Sequence, residues 1–206
     1  MLQFITHRTA QYDYVDGAIA ALSGGCKWIQ LRMKGATKSE IIAAVEILRP
    51  LCKKEGAILI LDDHVELTAQ LDIDGVHLGK NDMPVSEARA ILGEKYIIGG
   101  TANTFDDIKN LVSQGVDYIG LGPFKYTETK QNLSSIIGLE GYQNILSQCC
   151  KAGITTPIVA IGGIEMGDIE PIMHTGVSAV AISGAILRSD NPSKTTSNII
   201  TTLNNL

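Results

Sequence analysis

Three observations in the 206-residue chain predict an α/β fold in one domain, a (β/α)8 barrel of the TIM type. Short runs rich in Ile, Val and Leu alternate with longer stretches of helical periodicity, and the alternation completes eight times. The short runs are apolar on both faces, as parallel strands covered by helices must be. The side chains that break the apolar pattern fall where each run ends, and in a parallel barrel that end is the rim that carries chemistry. An open doubly wound sheet is disfavoured, because no G-x-G-x-x-G follows the first strand.

The elements follow in order. Strands are expected at 2–6, 28–31, 58–61, 75–77, 96–99, 118–121, 158–161 and 179–182. Each is three to five residues, most of them of β-branched or large apolar character, bounded by polar residues or glycine. Helices are expected at 14–22, 38–55, 65–71, 85–92, 105–112, 139–151, 166–174 and 194–203. The clearest is 38–55, with Ile41, Ala44, Val45 and Leu48 at helical spacing and Gly56 as its stop. A pattern of glycine followed by an apolar strand recurs at Gly75, Gly115 and Gly176, where each glycine is expected to cap the preceding helix. The stretch 123–138 is too long for an idle connection in so lean a barrel.

Composition narrows the function classes. Hydrophobic residues are 45% of the chain and charged residues 19%, enough apolar material for a full core and against disorder. The net charge of −5 argues against a nucleic-acid surface. No apolar run approaches the ~20 residues of a membrane helix, and the start, Met1 to Thr6, lacks the basic and apolar regions of a secretory signal. Cys26, Cys52, Cys149 and Cys150 form no C-x-x-C pair and no zinc set, and read as reduced thiols of a cytoplasmic protein.

The rim residues converge on anion chemistry. Gln30, Arg32 and Lys34 alternate along the second strand and so share one side, where two cations and an amide suit a phosphate or pyrophosphate. Asp62, Asp63 and His64 end the third strand, and His77 to Asp82 end the fourth. Asp63 and Asp82 are the natural pair for Mg²⁺, which takes one or two carboxylates with phosphate oxygens and water; helix capping is the competing fate of Asp62, Asp63 and Asp82. His77 reads as a core or supporting histidine. After the sixth strand, Lys125, Thr127, Thr129 and Lys130 form a loop suited to gripping phosphate. Gly162-Gly163 after the seventh strand and Ile182-Ser183-Gly184 after the eighth, with a short helix, suit a phosphate held by backbone N–H groups. With Lys80, the rim gathers Arg32, Lys34, Lys125 and Lys130. Two anion grips imply two phosphorylated ligands, or one with two charged ends.

Taken together, Gln30-x-Arg32-x-Lys34, Asp63, Gly75-Val76-His77-Leu78-Gly79 with Asp82, Thr127-x-Thr129-Lys130, Gly162-Gly163 and Ile182-Ser183 resemble the thiamine phosphate synthase family, in order and at the family's spacing. The resemblance implies a Mg²⁺-dependent transferase that joins a hydroxymethylpyrimidine diphosphate to a thiazole phosphate. It implies that Asp63 and Asp82 hold the metal and that Gln30, Arg32, Lys34 and Lys130 bind the diphosphate, with Arg32, Lys34 and Lys130 stabilising its departure. Asp62 then lies among the substrate-binding residues. Thr127, Thr129, Gly162, Gly163, Ile182 and Ser183 fall at the thiazole phosphate, and Thr101 stands where the family usually places a serine near the pyrimidine. Asp62 replaces the usual Asn, His64 the usual Arg and Lys80 the common Gln, and the turn at 99–103 lacks the usual His. The implied partners are small phosphorylated molecules, with no nucleic acid and no membrane, and self-association stays open. Two rival readings are a thiazole tautomerase of the same fold, which uses a His where Pro123 stands, and a non-catalytic thiamine-phosphate sensor, which has no need of Asp63, Asp82 or Lys130.

Overall fold

The computed structural model describes residues 1–126 and 135–206. Eight parallel strands close on themselves in sequence order: β1 (Leu2–Ile5), β2 (Trp28–Leu31), β3 (Ile58–Asp62), β4 (Gly75–Leu78), β5 (Ile97–Ala102), β6 (Tyr118–Leu121), β7 (Ile158–Ile161) and β8 (Ala179–Ile182). β8 returns to pair with β1, setting Phe4 against Ile182. Between strands lie α1 (Tyr14–Ser23), α2 (Lys38–Glu55), α3 (Val65–Leu71), α4 (Val85–Leu92), α5 (Phe105–Ser113), α6 (Gly138–Lys151) and α7 (Ile169–Met173), with α8 (Gly184–Leu187) and α9 (Pro192–Asn204) after β8. The expected barrel is therefore the fold.

Strand alternation splits the apolar residues into two cores. Ile29 and Leu31 of β2 join the large layer between strands and helices, with Ile41, Val45 and Leu48 of α2. Trp28 of the same strand faces inward, with Ile5, Ile60, Tyr118, Val159, Ala179 and Ala181. Trp28 meets Tyr118 edge-on at 4.7 Å between ring centres, a favoured aromatic geometry. Local chemistry sets the helix ends. Thr37 and Glu40 form a capping box on α2, Gly56 ends that helix in the left-handed conformation, and Thr104 with Asp107 caps α5 in the same way.

Several boundaries differ from expectation for physical reasons. Gly115 and Gly176 do follow helices with positive φ, but Gly75 lies inside β4, and Asp72 takes the left-handed position after α3. A Cβ on Gly75 would stand 2.1 Å from the Ile97 carbonyl oxygen, so glycine serves strand approach there. β3 extends through Asp62, and neither Asp62 nor Asp63 caps α3, whose N-cap is His64 without a side-chain bond. Asp82 does not cap α4 either; its carboxylate turns back to accept from the Gly79 N–H at 2.6 Å. The span 166–174 divides into a 3₁₀ turn, Met166–Asp168, and the short α7, whose Pro171 lacks an N–H. α9 starts two residues early, because Asn191 caps it and Pro192 fits the first turn. Cys26, Cys52 and Cys149 are buried thiols and Cys150 an exposed one, none in a disulfide.

Candidate active site

The C-terminal ends of β1 to β5 bring one polar cluster together. Gln30, 2% exposed, points into the barrel, and its amide donates to Asp62 Oδ1 at 2.5 Å. Arg32 Nε stands 3.4 Å from Asp62 Oδ2. The Arg32 backbone is held from β1: Thr6 Oγ1 accepts from the Arg32 N–H at 2.9 Å and donates to the Arg32 carbonyl at 3.1 Å. Burial pushes the Asp62 carboxyl upward, against the opposing pull of Arg32 and the Gln30 amide. Lys34 is exposed beside this group and acts on both Asp62 and Asp63.

Asp63 takes a left-handed backbone, φ 68°, just past β3. This turn carries its carboxyl close enough to that of Asp82 for the two to interact. Burial first, then the Asp82 and Asp62 carboxylates, push Asp63 up to about 8. Two interacting carboxyl groups at the ends of neighbouring strands are a donor set suited to a hard divalent ion. Among the described residues no group of three or more His, Cys, Asp or Glu side chains gathers as a metal site. The chemistry of the pair, two carboxyl groups, fits an ion that takes one or two carboxylates and completes its shell with phosphate oxygens and water, as Mg²⁺ does.

At the ends of β4 and β5, His77 is 6% exposed and joins Tyr118 Oη and Thr101 Oγ1, each at 2.9 Å. The reading of His77 as a supporting residue holds. Gln3 of β1 completes this interior group, donating to Gln30 Oε1 at 3.1 Å and to Tyr118 Oη at 3.3 Å.

The opposite half of the rim differs in character. Gly162 and Gly163 both have positive φ, and the loop after β6 runs against them. Phe124 and Lys125 donate from their backbones to the Ile161 and Gly162 carbonyls at 2.9 Å each. A Cβ on Gly163 would stand 2.5 Å from the Tyr126 carbonyl oxygen. These glycines thus serve the packing of the loop after β6. Tyr142 of α6 ties the ends of β6 and β7 together through the Leu121 carbonyl and the Ile161 N–H. Ile182 is buried at the end of β8. Ser183 donates to the Ile5 carbonyl and meets His7 Nδ1 at 2.7 Å. Burial lowers the His7 pKa, and Arg188 and Arg32 lower it further.

Thr127, Thr129 and Lys130 lie outside the described residues. Lys80 and Lys125 stand at the rim as expected, but each has an acidic partner, Asp107 at 2.8 Å and Asp168 at 2.6 Å. Sequence reasoning missed Gln3, Thr6, His7, Tyr118 and Arg188. Gln3 and Tyr118 had a signal, since each is a polar-tipped residue on a short apolar strand. Arg188 had none, because the turn of α8 alone brings it beside Gly184 and Glu165.

The family model described as thiamine monophosphate synthase matches residues 2–186. A thiamine-phosphate synthase of Bacteroides fragilis is 59% identical over 199 residues, covering 97% of this chain and 98% of that protein. One from Flavobacterium johnsoniae is 48% identical, covering 92% of this chain and 89% of the relative. A solved thiamine phosphate pyrophosphorylase from Pyrococcus furiosus superposes with a TM-score of 0.87 at 30% identity, covering 99% of this chain and 95% of the other. A rim with a carboxylate pair beside clustered cations, on a barrel with these relatives, has one family reading: the chain belongs to the thiamine monophosphate synthase family.

Proposed function

We propose that the protein is a thiamine phosphate synthase, a transferase that condenses 4-amino-2-methyl-5-hydroxymethylpyrimidine diphosphate with 4-methyl-5-(2-phosphooxyethyl)thiazole. The observation that supports this reading is the run Asp62-Asp63 at the end of β3: Asp62 meets Gln30 and Arg32, while Asp63 lies within the influence of Asp82 and Lys34. That is the arrangement a departing diphosphate requires, with cations for its oxygens and carboxylates for its metal.

In the reaction, the bond between the exocyclic methylene carbon and the diphosphate oxygen breaks, and its electron pair leaves with the diphosphate. The aminopyrimidine ring carries the resulting positive charge. The thiazole nitrogen lone pair then forms the new C–N bond, giving thiamine phosphate and pyrophosphate. No protein atom forms a covalent bond, so catalysis rests on positioning and charge. Arg32 and Lys34, with Lys130, stabilise charge on the leaving group. Asp63 and Asp82 would hold Mg²⁺, which when bound supplies Lewis-acid stabilisation of the diphosphate. Gln30 and Asp62 fix the Arg32 guanidinium at the rim. Thr101 addresses the pyrimidine. The backbone at Gly162, Gly163, Ile182 and Ser183, with Thr127 and Thr129, receives the thiazole phosphate, and the Ser183 hydroxyl is already committed to the Ile5 carbonyl. A tautomerase or a sensor gives the Asp63–Asp82 pair no task. Four free thiols suit a reducing cytoplasm.

The test is product analysis. Purified protein with both substrates and Mg²⁺ should yield thiamine phosphate and pyrophosphate in equal amounts. Isomerised thiazole phosphate without pyrophosphate would overturn the reading in favour of the tautomerase.

A further inference from the structure

We infer that Arg188 is a further binding and specificity residue, whose guanidinium takes the phosphoryl oxygens of the thiazole phosphate at the Ser183-Gly184 turn and gives up Glu165 to do so. The identity of that ligand rests on the function proposed above.

The turns that end β7 and β8, Gly162-Gly163-Ile164 and Ile182-Ser183-Gly184, carry no cation of their own. A phosphate ester brings about 1.5–2 negative charges at neutral pH. The side chains at the β8 turn have no proton to give it. The Ile5 carbonyl can only accept, so the single hydroxyl proton of Ser183 is spent there. The Ser183 oxygen must then accept from His7 Nδ1, 2.7 Å away. Burial, then the Arg188 and Arg32 charges, lower the His7 pKa, so the imidazole is neutral at pH 7 and its one N–H is spent on Ser183. Lys125, on the same half of the rim, is held by Asp168 at 2.6 Å, and that carboxylate is mostly buried.

Arg188 is placed to supply the missing charge. A Cβ on Gly184 would stand 2.3 Å from Arg188 Nη1, so the guanidinium lies against the Gly184 backbone where only glycine leaves it room. Its charge also reaches His7, which is bonded to Ser183, so it bears on the turn rather than on open solvent alone. Arg188 Nη2 donates to Glu165 Oε1 at 2.7 Å, and Glu165 follows the β7 turn. The pair thus spans both turns assigned to phosphate. Its side chains are 62% and 56% exposed, and an exposed ion pair is weak enough for a dianion to displace the carboxylate. A guanidinium fork matches two phosphoryl oxygens at once.

The competing role is a strut that ties the β7 turn to the β8 turn. The two roles differ in what they ask of Glu165. A strut needs Glu165 as its partner, whereas a phosphate ligand has Glu165 as its competitor.

Titration calorimetry with the thiazole phosphate separates them, with Mg²⁺ and pyrophosphate present to fill the other half of the rim. Arg188→Gln should weaken binding about tenfold, the low end for a charge-assisted bond because the group is exposed. By competition, the preference for the thiazole phosphate over its unphosphorylated alcohol should shrink by the same factor. Glu165→Gln should bind as tightly as the wild type or more tightly. An unchanged Kd in Arg188→Gln, or equal losses in Arg188→Gln and Glu165→Gln, would overturn the inference. Failure of the wild type to bind the thiazole phosphate would refute the inference and the proposed function together. Binding without turnover would refute the synthase alone, and the two variants would still decide the role of Arg188.

Discussion

The side-chain amide of Gln30 and the carboxylate of Asp62 meet 2.5 Å apart where β2 and β3 reach the rim. Asp62 also sits 3.4 Å from Arg32 Nε, so one carboxylate orders both a buried amide and a cation assigned to the diphosphate. An Asn at this position keeps an acceptor for Gln30 and loses only the ionic contact. Asp62→Asn should therefore retain activity within about tenfold of wild type, while Asp62→Leu removes the acceptor for the buried Gln30 NH₂ and the ionic contact to Arg32 and should cost about 1.5–3 kcal/mol of stability. Chemical denaturation and kcat/KM of the two variants separate these effects.

Asp63 gives the metal-free protein a pH dependence. Its folded-state pKa, about 8, lies above the ordinary value of 3.8. Between those values the folded protein holds a proton that the unfolded chain has released, so stability falls as pH rises through this window. In chelator, Tm should decline from pH 5 to pH 8, and Asp63→Asn should flatten the decline. Mg²⁺ bound at Asp63 would compete with the Asp63 proton, so its stabilising effect should be larger near pH 8 than near pH 5. Thermal melts across pH, with and without Mg²⁺, test this.

Gly163 combines a φ of +67° with the approach of the Tyr126 carbonyl, 2.5 Å from where a Cβ would lie. Gly163→Ala should cost about 1–3 kcal/mol from the backbone alone, or roughly 4–8 °C in Tm for 2 kcal/mol in a chain of this size. It should also raise KM for the thiazole phosphate, because the β6 loop must shift. A melt and a KM for each substrate give the answer.

Lys130 is assigned to the leaving diphosphate by its place in the family pattern. Lys130→Ala should lower kcat by about 10²–10³-fold, as loss of one charge-stabilising donor does elsewhere, with Tm unchanged. Single-turnover kinetics checks that the loss is in bond cleavage.

The sequence carries the barrel well because strand and helix periods differ sharply and the apolar runs are short. It carries the rim cations and Asp63–Asp82 because their spacing places them at strand ends. What escapes it is pairing across the barrel. Gln3 and Tyr118 are 115 positions apart, and only closure of the sheet brings them together. The capping alternative for Asp62 fails for a related reason, since its carboxylate is taken by Gln30 and Arg32 from the neighbouring strand, while Asp82 turns back to the Gly79 N–H of its own loop. Lys80 and Lys125 read as cations for ligand, but Asp107 and Asp168, from neighbouring helical segments, already pair with them.

The most direct test of the whole account is pyrophosphate release, followed with both substrates present and Mg²⁺ titrated in. The account predicts release that requires both substrates and Mg²⁺, with the metal requirement shifted at least about tenfold higher in Asp82→Asn, since even supporting residues of a metal site shift affinity by that much. Release that is independent of metal, or unaltered in Asp82→Asn, would contradict the assignment of the Asp63–Asp82 pair on which the account rests.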